Sequence, residues 1–437
     1  MKFFRKIHLW LSVPFGIIIT LICFSGAMLI FEPEITRYVK SDLYYVDSSE
    51  GSPLPMASLM ESVRTTLPDS VSITGVTVFA DSERTYQVNL SKPRRASIFI
   101  DQYSGKITGR YERLGFFSTM FKLHRWLLDS ANPHGEGVKI GKLLVGISTL
   151  MFVIALITGV IIWWPRARKD LKRSLSISTG KGKHVFWKSL HVAGGMYALI
   201  FVLAMALTGL TWSFDWYRTA FYAVCGVEHT PRNFGQAPAG APVGKSEGDR
   251  EGRQNGRGAD NPEGHDGNNG GQRHEGRGRN HGEGNLNEGE HRNHGEGNLN
   301  GSHDENPGAN RRHSEFGRWQ EVYQTLRAEN PQAPQITVSH ESATVSLGTT
   351  GNGRAADKYL FDRRSGEITP AEKYADSNEA DRLRGWIYAI HTGSLGGIFT
   401  RVLWLLGALL GATLPLTGYY IWIKHLVRKK PDATNPA

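Results

Sequence analysis

The sequence predicts an α-helical membrane protein whose four transmembrane helices come from an internal duplication, with two small α+β extracytoplasmic domains. Three observations carry this. Four apolar runs, Leu9 to Phe31, Ile140 to Trp164, Val192 to Phe214 and Val402 to Ile423, are each long enough to cross a hydrocarbon core of ~30 Å at ~1.5 Å of rise per residue. Basic residues crowd alternate ends of these runs: Lys2, Arg5 and Lys6; Arg166, Arg168, Lys169, Lys172, Arg173, Lys181 and Lys183; and Lys424, Arg428, Lys429 and Lys430. His8 precedes Gly26 by 18 residues and Glu32 by 24, and His191 precedes Gly209 and Asp215 by the same two spacings.

The mean hydropathy of −0.33 would suit a soluble protein, but it averages the apolar runs with a segment from about Arg232 to His313 built almost wholly of Gly, Asn, Arg, Glu and His. The net charge of +10 reads as an orientation signal rather than a nucleic-acid surface, because the basic residues sit at helix ends; the positive-inside rule then makes both termini cytoplasmic. The first run is too long for the apolar core of a signal peptide, and Ser25-Gly26-Ala27 is a poor cleavage site, so it is read as a membrane helix. Trp10, Trp126, Trp163, Trp164 and Trp422 fall near the predicted boundaries, where indoles prefer to lie. Cys23 and Cys225 are the only cysteines, which excludes a disulfide scaffold, iron–sulfur ligation, Cys-based zinc fingers and c-type haem attachment.

The resulting organisation is a first membrane helix over 1–31, an extracytoplasmic domain over 32–120, and a His-bearing segment with the second helix over 121–165. A cytoplasmic loop over 166–190 leads to the third helix over 191–214. The second extracytoplasmic domain occupies 215–387 and contains a disordered Gly/His/Asn-rich insertion over 232–313; a His-bearing segment and the fourth helix cover 388–424, and a cytoplasmic tail covers 425–437. In the first domain the patterning predicts a helix around Met56 to Leu67 and strands Val71 to Phe79, Thr85 to Leu90 and Ala96 to Asp101, with a turn at Ser104-Gly105. The second repeats the plan with a helix near Phe316 to Asn330 and strands Gln335 to Ser339, Ala343 to Leu347 and Lys358 to Asp362.

The two halves read as copies. The run from Phe99 through Asp101, Ser104 and Gly105 to Thr108 parallels that from Leu360 through Asp362, Ser365 and Gly366 to Thr369, and Thr158 to Trp163 parallels Thr417 to Trp422. His8 to Asp101 spans 93 residues and His191 to Asp362 spans 171, so the second copy carries 78 more, about the length of the insertion. That insertion holds too few apolar residues to offset the entropy of ordering it.

Four histidines are candidates for chemistry. His8 and His191 open the first and third helices at the cytoplasmic face, and His124 and His391 precede the second and fourth at the outer face. The duplication makes the pairs His8 with His191 and His124 with His391. Two imidazoles facing each other in a helix bundle, without Cys or a carboxylate cluster, resemble the axial ligands of a b-type haem; zinc normally takes three or four protein ligands. Gly26, Gly146, Gly159, Gly194, Gly195, Gly209, Gly407 and Gly411 remove bulk where a flat macrocycle could enter, or serve plain helix packing. Arg5 and Lys188 on the inside, and Arg125 and Arg401 on the outside, are candidate partners for haem propionates.

Lys6-Ile7-His8-Leu9-Trp10, Leu123-His124-Arg125-Trp126-Leu127, the run Leu156 to Arg166, Leu190-His191 and the two Asp-x-x-Ser-Gly turns resemble the PepSY-associated transmembrane family, also described as iron-regulated membrane proteins, and within it the siderophore-iron reductases. The resemblance covers nearly the whole chain except the insertion. It implies PepSY-like extracytoplasmic domains and a bacterial inner (plasma) membrane protein whose two b haems, on His8, His191, His124 and His391, pass electrons outward to ferric iron held by a siderophore or to another extracytoplasmic acceptor.

No Rossmann fingerprint accompanies these features, since the glycines of Gly348 to Gly353 lack the strand and helix that a dinucleotide site needs; a quinol or a partner reductase would donate. Two alternatives stand beside the reductase: a non-enzymatic PepSY protein, anchored in the bilayer, that binds or regulates a partner, and a metal-handling accessory protein using His265, His274, His281, His291, His294, His303 and His313.

Overall fold

The computed structural model describes residues 1–47, 49–93, 96–129, 140–228, 316–348 and 351–429. The insertion read over 232–313, with the seven histidines of the metal-handling alternative, lies outside the described residues. The chain begins with helices α1 (Lys2–Leu29), α2 (Glu32–Val39), α3 (Ser41–Tyr44) and α4 (Met56–Arg64), then strands β1 (Ile73–Phe79), β2 (Tyr86–Leu90), β3 (Ser97–Ile100) and β4 (Ile107–Arg110). Helices α5 (Gly115–Trp126), α6 (Ile140–Ala167), α7 (Leu171–Ser174) and α8 (Lys183–Ser189) follow, and a π turn at Leu190–Gly194 joins α8 to α9 (Gly195–Ser213). Next come α10 (Asp215–Val224), α11 (Trp319–Glu329), β5 (Gln335–Ser339), β6 (Ser342–Ser346), β7 (Ala356–Phe361), β8 (Ile368–Glu372), α12 (Glu379–Thr392) and α13 (Gly397–Lys429).

Four stretches among the described residues are long and apolar enough to span a membrane: Lys2–Leu29, Ile140–Ala167, Lys183–Ser213 and Ser394–Val427. The first and third start earlier than hydropathy suggests, because helical hydrogen bonding continues through polar residues once a helix is nucleated. His8 and His191 therefore lie inside helices rather than at their ends. In the bundle, α1 packs on α6 and α13, and α9 packs on the same two. Ile19, Phe152, Leu156, Val202 and Leu210 fill the centre. The Thr20 hydroxyl donates to the Ala412 carbonyl at 3.1 Å, tying α1 to α13. A Cβ at Gly411 would lie 2.7 Å from Val202 Cγ1, so this glycine sets the approach of α13 to α9, as small residues do between membrane helices.

Four spans bring the start of α1, the α6–α8 connection and the end of α13 to one side, and the segments that follow α1 and α9 to the other. There the two regions read as separate small domains form one antiparallel sheet in the order β4-β3-β2-β1-β5-β6-β7-β8. The seam is β1 against β5, with Val76 opposite Val338 and Thr77 opposite Thr337. Alternation does the sorting: Val76, Val78, Val88, Ile98, Ile100, Ile336, Val338, Ala343 and Val345 join one core with Met56, Leu59, Met60 and Val63 of α4 and Trp319, Val322 and Leu326 of α11. On the opposite face Thr77 and Thr337 share a hydrogen bond of 2.8 Å across the seam.

The outermost strands, β4 and β8, were not anticipated, since Ile107 is the only large apolar residue in β4. Their hairpins are built by the Asp-x-x-Ser-Gly turns. Asp101 accepts from the Tyr103 amide at 2.8 Å, Asp362 accepts from the Arg364 and Ser365 amides at 2.8 and 2.7 Å, and Gly105 and Gly366 take φ of 73° and 76°, where a side chain would be strained. The Ser365 and Arg364 amides hold the Asp362 carboxyl below its ordinary value.

Ile336→Ala at the seam, where Ile336 is fully buried, is expected to destabilise the sheet by about 2–5 kcal/mol. Because the core is shared, amide exchange in detergent should accelerate in both β1–β4 and β5–β8; acceleration confined to β5–β8 would mean two independent units.

Candidate functional site

Each of the four histidines projects from one helix onto the backbone of another. His8 of α1 bonds through Nδ1 to the Ala155 carbonyl of α6 at 3.0 Å and to Thr158 Oγ1 at 3.1 Å. His191, in the π turn, bonds to the Leu414 carbonyl of α13 at 3.1 Å and to Thr417 Oγ1 at 2.8 Å. His124, on α5, reaches the Ile22 carbonyl of α1 at 2.9 Å. His391, on α12, reaches the Met205 carbonyl of α9 at 2.9 Å and Thr208 Oγ1 at 3.1 Å.

A carbonyl oxygen can only accept, so every one of these Nδ1 atoms carries the ring proton, and Nε2 keeps its lone pair. The threonines complete the arrangement: Thr158 and Thr417 donate their hydroxyls to the Ala155 and Leu414 carbonyls at 2.9 and 2.8 Å and so present their oxygens to Nδ1. A glycine follows each of these hydroxyl positions. A Cβ there would lie 3.5 Å from His8 at Gly159, 3.5 Å from His191 at Gly418, 3.1 Å from His391 at Gly209 and 2.8 Å from His124 at Gly26. The same seat is thus built four times, from Ile22, Ser25 and Gly26; Ala155, Thr158 and Gly159; Met205, Thr208 and Gly209; and Leu414, Thr417 and Gly418. Of the other glycines singled out above, Gly146 and Gly407 face Phe214 and Phe201 and serve packing.

The seats bring the rings together in twos. His8 and His191 stand with ring centroids 6.3 Å apart and planes at 82°; His124 and His391 are 6.1 Å apart at 55°. Two imidazoles binding one metal ion from opposite sides, through bonds of ~2 Å, set their ring centroids ~6 Å apart. Among the described residues no group of three or more His, Cys, Asp or Glu is placed to hold a metal ion, so an ion held by either pair would take its other ligands from a group of its own.

The π turn at Leu190–Gly194 inserts a wider turn where His191 leaves the helix, a device that re-aims functional side chains. Helix α12 ends two residues after His391 at Gly393, φ 73°, and α5 ends three residues after His124 at Leu127, φ 52°, with Leu128 at φ 63°. Left-handed leucines cost ~1–2 kcal/mol each, held here next to a histidine. Trp212 packs edge-on against His391 at 5.1 Å. The 351–354 loop docks on α12: Asn352 is buried and donates to the Tyr374 hydroxyl at 2.7 Å, Gly385 leaves it room, and the Arg354 guanidinium lies 3.8 Å over the Tyr388 ring.

The four cations proposed from the sequence are differently placed. Arg5 and Lys188 are exposed. Arg125 lies over the rings of Phe121 and Trp126 at 5.7 and 5.3 Å. Arg401 is paired with Glu34 through two bonds of 2.5 and 2.7 Å and also donates to the Ile30 carbonyl. Burial works to raise the Glu34 carboxyl, and bonding to Arg401 outweighs it, leaving the group below its ordinary value. With Arg113 bonded to Glu32 at 2.5 Å through Nε and one Nη, these pairs fasten α2 to the start of α13 and to the β4–α5 connection.

The seat residues Thr158, Thr208 and Thr417 were not recognised from sequence. Their signal was a Ser-Gly or Thr-Gly dipeptide in every apolar run. The chain matches the family described as the PepSY-associated TM region over residues 5–425. No curated protein matches it.

Gly26→Ala is expected to displace His124 and cost about 1–3 kcal/mol by overpacking, whereas Gly159→Ala, whose new Cβ meets His8 at ordinary contact distance, should be near neutral. Thermal unfolding of the two variants in detergent compares them.

Proposed function

This chain belongs to the PepSY-associated transmembrane family, and from that premise we propose that it is a di-haem oxidoreductase of the bacterial inner membrane. On this reading both termini are cytoplasmic, the sheet is extracytoplasmic and made of two PepSY-like halves, and electrons from a quinol or a partner reductase reach ferric iron held by a siderophore outside. The observation that carries the reading is the spacing of the two imidazole pairs, 6.3 and 6.1 Å between centroids, with every Nδ1 engaged and every Nε2 left for iron. Haem, once bound, supplies one-electron chemistry at its iron.

The residues of the chain do the rest. The carbonyls of Ala155, Leu414, Ile22 and Met205 fix the ring tautomer and orientation, and as acceptors from Nδ1–H they make the ligating nitrogen more basic. Gly26, Gly159, Gly209 and Gly418 admit the rings against the helix backbones. The apolar centre at Ile19, Phe152, Leu156 and Val202 keeps water out from between the two pairs. Helix α1 carries His8 and, fourteen residues on at Ile22, the seat for His124; the π turn that leads into α9 carries His191 and, fourteen residues on at Met205, α9 carries the seat for His391. That is ~21 Å of helix, most of a ~30 Å hydrocarbon core, so one pair lies toward each face. The repeated seats, the equal spacings and the symmetric sheet order support descent from one duplicated unit.

Protein expressed with ample haem is expected to show a Soret band and reduced α and β bands equivalent to two b haems per chain. His8→Ala should lower the haem content to one. Absence of these bands from folded protein overturns the proposal, and loss of both haems from a folded His8→Ala variant overturns the pairing.

A further inference from the structure

Two polar groups at the His8–His191 end of the bundle are occluded by the protein and have no hydrogen-bond partner among the described residues: the indole Nε1 of Trp163 and the Nδ1 of His184. Each such group, shut away from water, costs about 1–3 kcal/mol if nothing bonds to it, so each calls for a polar partner. Their positions say where that partner lies. Trp163 is four residues beyond Gly159 and so shares its helix face; Gly159 is the glycine that backs the His8 ring. His184 is seven residues before His191, two turns earlier on the same face, with its ring 6.3 Å from that of Tyr420 on α13. Relative to the seats, Trp163 is displaced by ~6 Å and His184 by ~10 Å along their helices, both toward the side of the chain ends.

We infer that Trp163 and His184 donate hydrogen bonds to the carboxylate arms of the haem held by His8 and His191. The inference rests on the di-haem reading. A haem carries both its carboxylates on one edge of the ring, so a macrocycle held at this pair with that edge toward the chain ends would direct them to the side where Trp163 and His184 lie. The chemistry matches: an indole N–H is a donor only and takes an acceptor, and a hydrogen bond to a carboxylate is stronger than one between neutral groups. Such contacts would fix the orientation of the bound ring and hold its charged edge toward the basic ends of the helices.

The test uses full-length His391→Ala protein, which retains only the His8–His191 pair. Its haem-free form in detergent is titrated, by Soret absorbance, with b-type haem and with the haem dimethyl ester, whose carboxylates are masked. The ester is expected to bind about tenfold more weakly or worse. Adding Trp163→Phe or His184→Phe should weaken binding of free haem about tenfold and shrink the penalty for esterification, whereas His184→Gln, which keeps an N–H donor, should retain much of it. Circular dichroism verifies that each variant is folded. An esterification penalty that is absent, or equal in the parent and in both Phe variants, overturns the assignment. Failure of folded His391→Ala protein to bind haem or its ester overturns the di-haem reading and this inference with it, a result distinct from binding that ignores the carboxylates.

Discussion

An imidazole whose Nδ1–H is given to a main-chain carbonyl has one nitrogen left and one direction in which to point it. That bond, made four times here to Ala155, Leu414, Ile22 and Met205, is what the architecture depends on. It requires a helix backbone close enough to touch, hence the glycine beside each ring. It requires a carbonyl free to accept a second bond, which a helix provides because each oxygen has two lone pairs. A threonine hydroxyl beside three of the rings adds a second acceptor to the first. Since each ring sits on one helical element and its carbonyl on another, the four bonds also pin α1 to α6, the π turn before α9 to α13, α5 to α1 and α12 to α9.

The sheet is joined to this bundle by charge and by shape. Glu34 with Arg401 ties the short helix α2 to the start of α13, and Glu32 with Arg113 ties it to the β4–α5 connection, in geometry that uses both carboxylate oxygens and so resists rotation. On the other half, the loop around Asn352 packs into the space above Gly385 on α12, six residues before His391. The loop between β6 and β7 thus braces the helix that carries His391, while the ring itself is held by the carbonyl of Met205.

Much of this was legible in the sequence, and what was not had a physical reason for being hidden. Hydropathy alone located the membrane helices, though not their polar first turns. The histidines stood out because the distances from His8 to Gly26 and from His191 to Gly209 repeat. Their seats did not, because a carbonyl is supplied by any residue and leaves no mark in the sequence, and because Thr-Gly in an apolar run reads equally well as helix packing. Alternation of apolar residues identified the strands of each half, but pairing of β1 with β5 is made by main-chain groups, so two halves that could each fold alone and two halves sharing a sheet have the same pattern. The strand Ile107–Arg110 is defined by the hairpin turn at Asp101 to Gly105 more than by its own residues.

The shared seam has a consequence for how the protein is made. Strand β5 begins 256 residues after β1 ends, and at a synthesis rate of ~5–20 residues per second the first four strands wait for tens of seconds before their partner exists. Through that interval β1 presents an unpaired edge, and its apolar side has only α4 to lie against. An open strand edge is a template for pairing with the wrong chain. Biogenesis of this protein thus includes a stage, set by topology rather than by stability, at which a neighbouring nascent copy can compete for the position that β5 will fill.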